Sequence, residues 1–253
     1  MNLARLFTHG SNAYLMFKFP ARPESVFELR FPEHWKSPAT SARHGDRVRV
    51  HGGANTVQWT QPDAHRAQAR WEPGEHEAPW DRPWRYTLDY EGHEDFLDIS
   101  LALTYDGPDP WDGTGILACL RHRMADPFID PEGHRTWLYR HDGPVTAHDL
   151  IAGQFPPHRM MGAALGNSAG PQTLKHPVMA TFNRDGTHAS FIVFEGAQGC
   201  SANFGSIHCI HSNPGIAGMQ PGETRVLRGR VYCIPARGPE DVLARWEKDR
   251  PDL

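Results

Sequence analysis

Sixteen of the 253 residues are histidine, a supply of imidazole that suits proton exchange near neutral pH, metal ligation or plain hydrogen bonding. Most of them, His9, His44, His76 and His148 among them, lie in polar, loop-like stretches with no pattern around them. His208 and His211 form an HxxH pair, the spacing that puts two zinc ligands on one side of a helix. The segment around them reads as a strand, however, and residues three apart on a strand face opposite ways. His211 then shares a face with Cys209 and Asn213, and His208 shares the other with Ile210 and Ser212. A metal held jointly by the two histidines is not expected, and no cofactor is called for.

Two further stretches could carry chemistry. Leu117-Ala-Cys-Leu-Arg-His-Arg123 is an apolar strand that turns basic at its end. Cationic side chains gathered at a strand end suit a carboxylate, a phosphate or sugar hydroxyls, although a solvated strand end has the same composition. Val50-His51-Gly52-Gly53 runs into a double glycine ahead of Trp59; glycines there let backbone approach a ligand, or simply make a turn. Exposed tryptophans near strand ends could stack on sugar rings, while an edge tryptophan covering the core is the commoner case.

The elements that must position these residues are strands. Period-two alternation recurs along the chain, broken by Gly, Pro and Asp at short intervals, which is the pattern of a sandwich or barrel. In Phe96 to Thr104, Leu97, Ile99, Leu101 and Leu103 point one way and Asp98, Ser100, Ala102 and Thr104 the other. Gly92 with His93 and Asp185 with Gly186 supply hairpin chemistry. One helix is expected, at the C-terminus, where Pro239 suits a first turn, Glu240 and Asp241 complement its positive end, and Val242, Leu243 and Trp246 form an apolar stripe. The stretch from Pro156 to His176 reads as the longest irregular loop. With no linker or repeat to divide it, the chain is expected to be one all-β domain spanning residues 1–253, a large antiparallel β-sandwich with one short C-terminal helix.

Composition narrows the partners. A net charge of −4, with no concentrated run of Lys and Arg, argues against nucleic acid. No apolar stretch is long enough to span a membrane, and no signal segment is evident, so a cytoplasmic protein is expected. The four cysteines lack a CxxC pair and read as reduced, buried core thiols rather than disulfides or metal ligands.

Three motifs together resemble the galactose mutarotase-like family, the aldose 1-epimerases and their relatives, which share a β-supersandwich. His51-Gly52-Gly53 followed by Trp59 looks like the family's HGG element. Arg85 to Tyr90, Leu97 to Leu103 and Leu117 to Arg123 look like its central hairpin leading to the strand that ends at the catalytic histidine, which puts His122 in that role. Cys209-Ile-His-Ser-Asn213, then Gln220-Pro-Gly-Glu223, resembles the closing segment, with His211 where the family keeps a glutamate. The resemblance implies a sugar or oligosaccharide ligand, His122 as acid and His211 as base, and His51, Arg121, Asn213 and Trp59 as substrate contacts. In the family such a pair opens and recloses the sugar ring by moving protons. Two other classes remain open: a non-catalytic carbohydrate-binding protein in which tryptophans dominate, and a metal-dependent lyase or oxygenase drawing ligands from His51, His122, His176, His208 and His211.

Overall fold

The structure is a computed structural model that describes residues 3–8, 14–36, 48–49, 57–72, 84–111, 113, 115–151, 160–165, 173–205 and 208–250. In chain order the elements are β1 (Arg5–Thr8), β2 (Tyr14–Lys18), β3 (Val26–Lys36), β4 (Val48–Arg49), β5 (Gln58–Thr60), β6 (Arg66–Trp71), β7 (Trp84–Gly92), β8 (Phe96–Tyr105) and β9 (Gly115–Met124). They continue with β10 (Thr136–Arg140), β11 (Gly143–Thr146), α1 (Ala147–Leu150), β12 (Met160–Leu165), β13 (Thr173–Leu174), β14 (His176–Phe182), β15 (His188–Phe194), β16 (Ala197–Asn203), β17 (Cys209–Pro214), β18 (Thr224–Pro235) and α2 (Pro239–Asp249).

The alternation dictates two sheets. One runs β1-β2-β3-β9-β17-β16-β12-β13, with β4 beside β3; the other runs β11-β10-β14-β15-β18-β8-β7-β6-β5. Among the described residues the pairs are antiparallel except β12 with β13. Each sheet turns its apolar face to the other: Phe27, Leu29, Ala118, Leu120 and Ile210 from the first meet Leu97, Leu101, Ile192 and Phe194 from the second. This is the all-β sandwich that the alternation implies.

Strands β14, β15 and β18 depart from clean alternation. Phe191-Ile-Val-Phe194 is apolar throughout because both of its faces are covered. Ile192 and Phe194 face the other sheet, while Phe191 and Val193 join Tyr232, Val242 and Trp246 in a second apolar cluster beneath α2. Phe191 stacks on Tyr232 with centroids 4.4 Å apart. The helix begins as expected at Pro239, with the Asp241 carboxylate accepting from the Arg237 and Gly238 backbone N–H groups. Arg245 ties it down by donating to Asp95, and bonds Asp249 one turn on in the same helix at 2.6 Å. Burying side chains such as Val242 and Trp246 is worth roughly 1.5–3 kcal/mol each.

The hairpin expected at Gly92 and His93 joins β7 to β8, and Gly92 also serves a close approach. A Cβ there would stand 2.5 Å from the Ala4 carbonyl oxygen, so the glycine permits β1 to approach the β7–β8 hairpin. Gly186 makes a turn, with φ 68°. The stretch from Pro156 to His176 is not one loop, since it contains β12 and β13. Strands β12 (MMGAAL) and β16 (AQGCSAN) are built of small residues with little β preference. They are strands because neighbours pair with them. No described helix is long and apolar enough to cross a membrane.

Candidate functional site

Strands β3, β9, β17 and β16 are consecutive in the first sheet, and their registers line up polar residues on the face turned away from the sandwich core. One cross-strand row is Arg30, Cys119, His211 and Ser201; the next is Glu28, Arg121, Cys209 and Asn203. Side chains in such rows are near neighbours. Between Arg30 and His34, four steps of β3 match two of β9. Pro32 lies in this bulge and has no N–H to give to a ladder. The bulge delivers Glu33 to the same cluster, where Arg121 donates to its Oε1 at 3.3 Å.

The cluster is closely bonded. Ser201 Oγ lies 2.9 Å from His211 Nδ1, and His211 Nε2 lies 3.2 Å from Cys209 Sγ. Asn203 Nδ2 donates to the same sulfur at 3.4 Å. Glu28 accepts from Arg30 and stands 3.9 Å from Arg121 Nε, while the Arg30 guanidinium covers the Tyr14 ring at 3.9 Å. Cys119, Cys209 and His211 are essentially fully buried, and one donor atom from each lies within 4.8 Å of the others.

These contacts set the charges. A hydrogen bond from Cys119 and the adjacent His211 hold the Cys209 thiol well below the ordinary range, against the opposing effect of burial. Burial disfavours a charged His211, but the Cys209 sulfur more than offsets it and holds the imidazole above its usual value. Burial, then the neighbouring Cys209, pushes Cys119 up. These directions favour an ion pair between the Cys209 sulfur and the His211 imidazole, with the Cys119 thiol bonded to the same sulfur.

The site residues expected from sequence fall into three groups. Arg121, His211 and, two residues along β17 and half-buried, Asn213 stand on this face. His122 does not join them. It points between the sheets, where its Nδ1 lies 3.1 Å from His208 Nδ1 and its Nε2 lies 3.2 Å from Ser190 Oγ on β15. Phe27 and Phe128 pack around it. The expected convergence of His122 with His211 is therefore corrected: neighbouring residues of β9 alternate faces, and Arg121 takes the outer one. His208 faces inward as its alternation implies. Burial lowers it to about 4 and lowers His122 as well, so both imidazoles are neutral and one Nδ1–H donates to the other.

Trp59 is on the edge strand β5 of the second sheet and stacks on Tyr90 with centroids 6.1 Å apart. It packs against the core rather than beside Arg121. His51 and the double glycine lie outside the described residues. Of the tryptophan side chains the structure describes, Trp71, Trp84, Trp111 and Trp246 are buried, and Trp59 and Trp137 pack half-buried on apolar clusters.

Glu28, Arg30, Glu33, Cys119, Ser201 and Asn203 belong to the cluster but were not singled out from sequence. Cys119 alternates with Arg121, which was signal enough to place both on one face. Ser201 and Asn203 sit on the unrecognised strand β16, and Glu33 arrives only through the bulge. The cysteine expectation divides in the same way. All four are free and buried; Cys200 and Cys233 belong to the apolar core, whereas Cys119 and Cys209 belong to the polar cluster. A separate groove of about 580 Å³ lies on the outer face of the second sheet, where Gln68 donates to Asp89 at 2.7 Å and Arg230 to Asp98 at 2.6 Å.

No family model matches the sequence, and no curated protein matches it either. Solved structures do match, and they define the class as a sandwich found in sugar-related proteins. The α-N-acetylgalactosaminidase NagBb of Bifidobacterium bifidum, solved with GalNAc, superposes with a TM-score of 0.56 at 13% identity over 98% of this chain and 37% of that one. A galactose mutarotase-like protein of Clostridium acetobutylicum gives 0.51 at 8% identity over 92% and 99%. The GalM/aldose epimerase homologue of C. elegans gives 0.51 at 10% identity over 93% and 96%. The chain has the galactose mutarotase-like fold, and at these identities the likeness is one of fold.

Proposed function

We propose that the protein is a one-domain, carbohydrate-active enzyme that binds a free sugar or sugar derivative over the outer face of β3, β9, β17 and β16 and exchanges protons with it. The observation that carries the reading is the meeting of Glu33, Arg121, Cys209 and His211 on that face of a mutarotase-like fold. Arg121, oriented by Glu33, binds hydroxyls through its planar fork; Asn213 and His51 contribute further contacts. Glu33 takes the anomeric hydroxyl proton, and the Cys209–His211 couple returns one to the ring oxygen, so that the ring opens and recloses. His122 has no part in this, since it lies across the sheet. Four free thiols suit a reducing compartment, and we place the protein in the cytoplasm. Among the described residues the tryptophan rings pack inward, which lends the tryptophan-dominated binding reading no support.

The test is anomer exchange followed by NMR across a panel of aldoses. Glu33→Gln and His211→Gln are each expected to lower the rate by about 100-fold or more. An exchange rate equal to the spontaneous one on every sugar rejects the epimerase assignment.

A further inference from the structure

We propose that Cys119, Cys209 and His211 bind one divalent ion of the zinc class, leaving a fourth position for water or a ligand oxygen. The three donor atoms lie within 4.8 Å of one another, a span that one tetrahedral ion closes with small side-chain rotations. They come from two adjacent strands: Cys119 pairs directly across from His211, and Cys209 precedes His211 by two residues on the same face. This separates the site from the HxxH pattern, whose other histidine faces the core.

The donor set selects the metal. Two thiolates and one imidazole suit zinc and its soft or borderline neighbours and exclude calcium or magnesium, which demand oxygen. Two thiolate charges also neutralise a divalent ion, which is what a buried site requires. The surroundings are those of a ligated imidazole. Ser201 Oγ engages Nδ1 at 2.9 Å and so leaves Nε2 directed at the Cys209 sulfur, 3.2 Å away. Asn203 supports that sulfur through an N–H···S contact. Such outer partners fix the ligand orientation and raise its basicity. Cys119 and Cys209 lie outside both apolar clusters, the first of which holds Cys200 and Cys233, so packing in those clusters does not account for them.

The site shares residues with the proposed sugar face but rests on donor geometry alone. With an ion bound, Cys209 and His211 would serve as its ligands, and the ion would supply a polarised water at the fourth position.

The test is titration of untagged, reduced, metal-stripped protein with Co²⁺ and then Zn²⁺. One Co²⁺ per chain is expected, with sulfur-to-cobalt charge-transfer absorption that Zn²⁺ abolishes. Cys119→Ser, Cys209→Ser and His211→Gln should each weaken binding about 100-fold or more, and Ser201→Ala about 10–100-fold. Cys200→Ser should leave it unchanged, with circular dichroism reporting the fold. The wild-type spectrum decides the matter should a variant not fold. Absence of charge-transfer absorption, its full retention in both Cys119→Ser and Cys209→Ser, or a Cys119–Cys209 disulfide that forms in place of metal binding overturns the proposal. Because no sugar enters the titration, its failure is distinct from failure of the anomer-exchange assay.

Discussion

His122 and His211 occupy adjacent strands of one sheet and face opposite sides of it. The first bonds His208 and Ser190 between the sheets, and the second bonds Ser201 and Cys209 on the outer face. A single step along β9, from Arg121 to His122, separates the polar cluster from the core. The roles of the two imidazoles follow from that step.

Replacement of His122 is expected to cost stability rather than chemistry. His122→Ala opens a cavity against Phe27 and Phe128 and strips His208 Nδ1 of its partner, a loss of about 3 kcal/mol. Urea denaturation should show a lower midpoint, while anomer exchange per folded molecule and the cobalt spectrum stay unchanged. Lost exchange at an unchanged midpoint would contradict the inward placement.

The same pair sets an acid limit on the fold. Burial lowers His208 to about 4 and lowers His122 below its ordinary value. Of the charges facing them, Asp130 raises His208 and Arg135 lowers both. The unfolded chain, titrating near 6.5, binds more protons than the native one in this range, so stability rises with pH. The contribution is present in full above about 6.5 and is lost as the pH falls towards 4. Denaturation midpoints measured across that interval should trace the loss. A His122→Leu, His208→Leu double variant should flatten it, and an unaltered acid limb in that variant would count against the assignment.

Arg121 separates charge from geometry. Arg121→Lys keeps the cation beside Glu33 but removes the planar fork. We expect kcat/KM on the preferred sugar to fall by about tenfold or more, with thermal unfolding little changed. Full activity in the lysine variant would show that Arg121 does not bind the substrate.

Trp59 offers the opposite contrast. Half-buried on Tyr90 and the core, it should cost about 2 kcal/mol when replaced by alanine, read as a lower denaturation midpoint. Its loss should leave the KM for sugar unaltered. Raised KM with wild-type stability would place a ligand at β5 after all.

Much of this was legible in the chain. The alternation of Leu97, Ile99, Leu101 and Leu103 fixed a half-buried strand, and Pro239 with its acidic first turn fixed the helix, because side-chain direction and capping are local properties. The same logic put His211 beside Cys209 and set His208 apart from it. The small-residue strands β12 and β16 were hidden, since their pairing depends on neighbours far along the chain.

The sequence alone determined that strands would dominate and that HxxH here points two ways. Only the tertiary structure decided which side of the sheet each would face, because alternation gives relative direction along a strand but not which face meets the other sheet. It sent His122 inward to Ser190 and, through the bulge after Pro32 and the register of β9 with β17, joined Glu33, Cys119, Cys209 and His211 outside.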